Sequence, residues 1–115
     1  MSKRNDLVPM GDMLDLALRV EAKIDNVTRE QFEADENLRV TVVYFIQTIG
    51  EAARRVSEDS RKAHPEIEWQ DIIGMRSRLV HDYKNIDFDA VWKAATVDVP
   101  LLLAQLRAFM PSDPP

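Results

Sequence analysis

Apolar residues recur at intervals of three and four along nearly the whole chain, and that period constrains the architecture more than any other feature. Met10, Met13, Leu14, Ala17, Val20 and Ile24 fall on one helical face. Leu38, Val42, Phe45, Ile46, Ile49, Ala52, Ala53 and Val56 form a second stripe, which predicts a helix from Glu36 to Ser57. The run VTVV within it has strand propensity, but the helical period continues past it and a two-residue alternation does not. Trp69, Ile72, Ile73, Met75, Leu79, Val80 and Tyr83 predict a third helix. Trp92, Ala95, Val99, Leu102, Leu103, Leu106, Phe109 and Met110 predict a fourth, with Asp87 as its N-cap. Between the first two, Thr28 and Gln31 have the spacing of a capping box and open a short connector carrying Phe32. The expected fold is all-α: an antiparallel up-and-down four-helix bundle with short extra helices, one domain over residues 1–110, and a disordered tail over 111–115.

Three residues punctuate this pattern. Pro9 fits the first turn of helix one, where backbone donors lack partners anyway. Pro100 falls inside the fourth stripe and predicts a bend or break near Thr96 to Val99, because it removes a donor and clashes with the preceding turn. Gly50, in the middle of helix two, predicts close packing against a neighbour. Val40, Val43 and Tyr44 lie off the main stripe of helix two, and the apolar surface they leave predicts a two-fold dimer.

Composition removes several functional classes. The 115 residues include no cysteine, which excludes disulfides, thiolate nucleophiles and Cys-ligated metal. No segment approaches the roughly 20 apolar residues that span a bilayer, and acids interrupt any signal-peptide pattern, so the expected location is cytoplasmic. A formal net charge of −5 argues against gripping nucleic acid by bulk electrostatics. Local charge acts differently, because screening limits its reach to about 8 Å. Residues 74–84, GMRSRLVHDYK, carry Arg76, Arg78 and Lys84 against Asp82 alone.

His81 in that segment is a natural general acid or base, and Arg76 precedes it by five residues. On a regular helix the two would stand about 140° apart in azimuth and roughly 7.5 Å along the axis, whereas Arg76 and Tyr83 would share a face. One phosphate therefore meets both Arg76 and His81 only if the side chains wrap, the helix deforms or a second subunit contributes. The carboxylate pairs Asp12 with Asp15 and Asp35 with Glu36 read as solvated helix faces or N-terminal charges, so no metal site is expected. His64, in HPE, reads as a cap or turn residue.

The string GMRSRLVHDY, preceded by HPEIEW and followed by NID, resembles the HepT-type toxins of the HEPN superfamily. IGEAARR at residues 49–55, IIGM, and Val91 with Trp92 extend the resemblance over most of the chain. It implies a helical dimer whose two Arg-x4-His motifs face a shared cleft, and a metal-independent endoribonuclease that needs no cofactor. Arg76 and His81 take the catalytic positions. Tyr83 takes the position adenylylated by a nucleotidyltransferase antitoxin of MntA type, encoded as the toxin's partner. The implied substrate is RNA, tRNA or mRNA, and not DNA. Ser77, Arg78, Lys84, Arg54 and Arg55 are the candidates for supporting the site or guiding the RNA backbone. The sequence departs from the pattern at Ser77, where Asn is usual, and at Glu68, where Pro is usual. A second reading is a non-catalytic helical dimer that binds a nucleotidyltransferase partner or a nucleotide, favoured by the acidic charge and the replaced Asn.

Overall fold

A computed structural model describes residues 3–82 and 84–110. The expected disordered tail, 111–115, lies outside the described residues. The helices are α1 (Lys3–Ile24), α2 (Arg29–Ala34), α3 (Glu36–Arg54), α4 (Glu58–Ala63), α5 (Trp69–Ile73), α6 (Met75–Leu79), α7 (Phe88–Lys93) and α8 (Val99–Phe109). A π-helical turn, Ala94–Asp98, joins α7 to α8, and β1 (Val80–Asp82) pairs with β2 (Asn85–Ile86) in an antiparallel hairpin. The fold is thus all-α apart from this hairpin. Among the described residues, no helix is long and apolar enough to cross a membrane.

Contacts at the helix ends set the directions. Asp12, early on α1, pairs with Arg55 just past the end of α3, so these two helices run in opposite senses. Arg39, near the start of α3, lies over the ring of Phe88 at the start of α7, 4.8 Å from its centroid. His64, just past α4, stacks on Phe109 at the end of α8 with centroids 3.5 Å apart. The α7–α8 rod therefore runs alongside α3 in the same sense, and α5–α6 returns between them.

The stripes read from the sequence form one core. Met13, Val20, Val42, Ile46, Val91 and Leu106 are fully buried within it. Phe32 is also fully buried and meets Trp92 at 5.1 Å, so the α2 connector belongs to the core. The Thr28 capping box forms, with Gln31 N–H donating to Thr28 Oγ1 at 3.1 Å and Thr28 N–H to Gln31 Oε1 at 2.9 Å. Asp87 caps α7 by accepting from Ala90 N–H at 3.0 Å. At Gly50, an added Cβ would stand 2.9 Å from the Ile72 carbonyl oxygen, so α3 and α5 meet backbone to side-chain-free backbone.

Pro100 has the anticipated effect in a specific form. Lacking an N–H, it cannot continue the hydrogen-bond ladder, and the preceding turn widens so that Val99 N–H donates to the Ala94 carbonyl five residues back. Thr96 Oγ1 adds a bond to the Trp92 carbonyl at 2.7 Å. The rod bends through a π turn without breaking.

Four expectations are corrected. Helix one starts at Lys3, which puts Pro9 in its interior and not in its first turn. Its extra turns are held by Asp6, only 1 % exposed, which accepts from Ser57 N–H and Oγ–H and from the Ser60 hydroxyl. Helix two ends at Arg54, before Ser57, because Ser57 turns to cap α4. Val43 is buried, whereas Val40 and Tyr44 are 56 % and 61 % exposed as anticipated. The third helix does not reach Tyr83: it is irregular at Gly74 and ends at Leu79.

Two predictions follow from the packing. Gly50→Ala, although favoured by helix propensity, should destabilise the protein by about 1–3 kcal/mol in chemical unfolding, because Ile72 offers backbone there and no flexible side chain. The second concerns Asp6: burial raises its pKa, but the bonds from Ser57 and Ser60 outweigh this and hold it below the ordinary carboxylate value. A group depressed in the folded state stabilises above its unfolded pKa and loses that contribution as pH falls through the folded one. Asp6→Ala should therefore cost about 1–3 kcal/mol at neutral pH, with its deficit against wild type shrinking below about pH 4.

Candidate functional site

The basic segment 74–84 changes conformation in its middle, and that change creates the site. Met75 and Leu79 are buried, so α6 directs Arg76, Ser77 and Arg78 to solvent. Val80 N–H closes the helix on the Arg76 carbonyl, and the chain then becomes extended. Val80 packs against the core, and strand alternation turns His81 to the opposite, exposed side. Arg76 thus stands on the last turn of a helix and His81 on the strand that leaves it. The angular separation expected for a regular helix does not apply, because the helix ends between them.

The hairpin has a local cause. The Asp82 carboxylate accepts from Lys84 N–H at 2.8 Å and from Asn85 Nδ2 at 2.9 Å, offering the backbone a turn in place of another helical residue. These two bonds, with a smaller effect of His81, keep the Asp82 pKa below its ordinary value despite slight desolvation. Asp87 N–H then donates to the Leu79 carbonyl at 2.8 Å and returns the chain to the end of α6. Among the described residues, neither the Arg76 guanidinium nor the His81 ring has a hydrogen-bond or ion-pair partner. Both side chains are exposed.

The remaining candidates separate into groups. Ser77 is exposed beside Arg76. Arg78 is partly committed, with Nη2 donating to the Asp71 carbonyl at 2.9 Å. Lys84 lies in the hairpin turn, its N–H on the Asp82 carboxylate, and Tyr83 lies outside the described residues. Arg54 and Arg55 are not gathered to this segment. They end α3, where Arg55 pairs with Asp12 at 3.1 Å and Arg61 of α4 donates to the Arg54 carbonyl at 2.8 Å.

The carboxylates considered for a metal have structural partners: Asp35 caps α3 through Leu38 N–H, Asp15 pairs with Arg19, and Asp12 with Arg55. His64 is the C-cap of α4, as its position in HPE suggests. Beside α6 there is also a cavity of about 230 Å³ whose wall includes Arg78, Leu79, Asp87, Lys93, Ala94 and Asp98. The meeting of Lys93 and Asp98 in this wall was not legible in the sequence, because it depends on the π turn.

The chemistry open to Arg76 and His81 is anion binding with proton transfer. A guanidinium can hold two phosphate oxygens, and an imidazole can take or give a proton at the same group. Comparison with known proteins points the same way. The family model described as "Ribonuclease HepT-like" matches residues 13–109. "Putative RNase MJ1380" of Methanocaldococcus jannaschii is 32 % identical over 107 residues, 93 % of this chain and 98 % of that protein. "Probable ribonuclease HepT" of Thermococcus cleftensis is 34 % identical over 100 residues, 87 % of this chain and 91 % of that protein. No solved structure matches the chain significantly. On a match that runs from α1 to the end of α8 and includes the whole 74–84 segment, the chain belongs to the HepT-like ribonuclease family.

Proposed function

We propose that this protein is a metal-independent endoribonuclease, the toxin of a toxin–antitoxin pair, acting in the cytoplasm on RNA and not on DNA. The observation that carries the reading is the pair of exposed side chains, Arg76 and His81, on either side of the helix-to-strand change in a HepT-like chain.

RNA brings its own nucleophile. The 2′-oxygen attacks the adjacent phosphorus and loses its proton to a base. The P–O5′ bond breaks, and O5′ receives a proton from an acid, leaving a 2′,3′-cyclic phosphate. An imidazole can serve either transfer, and the Arg76 guanidinium balances the charge that grows on the phosphoryl oxygens. Two proton transfers call for two such groups, which a homodimer supplies by bringing two copies of His81 to one cleft. The exposed Val40 and Tyr44 on α3 provide apolar surface of the kind a two-fold contact covers. DNA, without the 2′-hydroxyl, cannot follow this route.

Regulation falls to Tyr83, two residues past His81. A nucleotidyltransferase antitoxin of MntA type that attached AMP there would add a phosphodiester anion to the same segment as Arg76, in competition with the RNA phosphate. Ser77 and Lys84 serve as nearby polar and cationic support.

Two measurements test this reading. RNA, including tRNA and mRNA, incubated with the protein in EDTA should be cut to cyclic or 3′-phosphate ends. Arg76→Ala and His81→Ala, both at exposed positions and therefore folded, should slow cutting by about 10²–10⁴-fold. Magnesium-dependent products with 5′-phosphate ends, or undiminished cutting by both variants, would overturn the assignment. In the second, wild type mixed with the antitoxin and ATP should gain the mass of one AMP and fall silent, while Tyr83→Phe gains none and stays active. Modification of Tyr83→Phe at the wild-type rate would move the switch elsewhere.

A further inference from the structure

The cavity beside α6 carries an inference that rests on the ribonuclease reading and deepens it. Its wall holds two cations, Arg78 and Lys93, and two carboxylates, Asp87 and Asp98. Among the described residues, no ion pair joins either cation to either carboxylate. Asp87 uses one oxygen to cap α7, and Arg78 gives one of its N–H groups to the Asp71 carbonyl. Among the described residues, the Lys93 ammonium and the Asp98 carboxylate, which line the same wall, have no hydrogen-bond or ion-pair partner.

The arrangement depends on the π turn. Residues five apart stand about 140° apart on an α-helix, which would send Lys93 and Asp98 to different faces. Bonds from residue to fifth residue bring them onto one face with Ala94 between them, against α6. At about 230 Å³ the space is below the roughly 300 Å³ of the smallest usual small-molecule sites, which suits one planar ring system and not a whole nucleotide. Arg78 lies two residues from Arg76 on α6, and Asp87 follows directly on the hairpin that carries His81. A ring seated here would belong to a nucleotide whose phosphate lies at Arg76.

We propose that this cavity is a nucleobase pocket that selects guanine at a position flanking the cut. Guanine is the base whose edges match the wall: N1–H and N2–H donate side by side to one carboxylate, here Asp98, while O6 and N7 accept from cations, here Arg78 and Lys93. Uracil presents no such paired donors.

The test maps cut sites on a mixed-sequence RNA for wild type, Asp98→Asn and Lys93→Ala, and in parallel titrates each protein with guanosine, cytidine and uridine monophosphates, followed by NMR. Wild type should cut preferentially beside G, and each variant should lose that preference by about tenfold or more. The same preference in all three proteins, or no preference in wild type, overturns the pocket while leaving the nuclease intact. Lys93 is exposed, so its variant keeps the test valid if Asp98→Asn alters α8. If no RNA is cut, the ribonuclease reading falls and binding decides the pocket alone. Guanosine monophosphate shifting residues of α6 and the π turn, at least tenfold more weakly in Asp98→Asn, supports it; no shift there overturns it.

Discussion

The fold depends on one backbone contact. Gly50 lets the Ile72 carbonyl approach α3 more closely than any side chain would permit, and this sets the line along which α5 and α6 lie. Met75 and Leu79 then fall into the core, and the residues between them face outward because the helix has no other choice. The exposure of Arg76 is thus the counterpart of the burial of Met75 and Leu79 on the same short helix. Arg61 reinforces the same end of α3 by donating to the carbonyls of Arg54 and, at 3.4 Å, of Ala53, groups that a helix C-terminus leaves without partners.

A second constraint acts from the opposite side. Pro100 costs α8 a hydrogen bond, and the chain answers with a turn of larger period. That turn changes which residues share a face, so a backbone irregularity in one rod determines the charges presented to another. The site is therefore bounded by two departures from regular helix, the π turn and the β-hairpin, both on a body of otherwise ordinary amphipathic segments.

Much of this was legible in the residues, and the divide follows range. Apolar period located the rods, the Thr28–Gln31 spacing and Asp87 located two helix starts, and Pro100 located the irregular turn, because each is decided by neighbours within a turn or two. The family was legible through the string that holds Arg76 and His81, which the family match includes. Asp6 was not, since a carboxylate reads as solvated until Ser57 and Ser60 are seen beside it, more than 50 residues on. The hairpin was missed for a different reason: Val80 and Tyr83 continue the helical stripe, and the competing signal, an Asp whose side chain takes the N–H two residues on, is short-range but has no period. Arg54 and Arg55 were grouped with the motif by charge, and the pairing of Arg55 with Asp12 of α1 was not legible, since it joins residues 43 apart.

The hairpin carries a thermodynamic consequence. A two-stranded ribbon this short has little stability of its own; among the described residues it is tied down by the Asp82 turn, by the bond from Asp87 N–H to the Leu79 carbonyl, and by Val80 and Ile86 packed on the core. Arg76 belongs to a helix anchored by buried Met75 and Leu79. Opening the element that carries Arg76 would therefore expose more core than opening the one that carries His81. Amide protection would fall from α6 into the hairpin along 76–82. A ligand that touched both side chains would favour the ordered hairpin by its differential affinity for the ordered and opened states, so that occupancy itself would complete the arrangement.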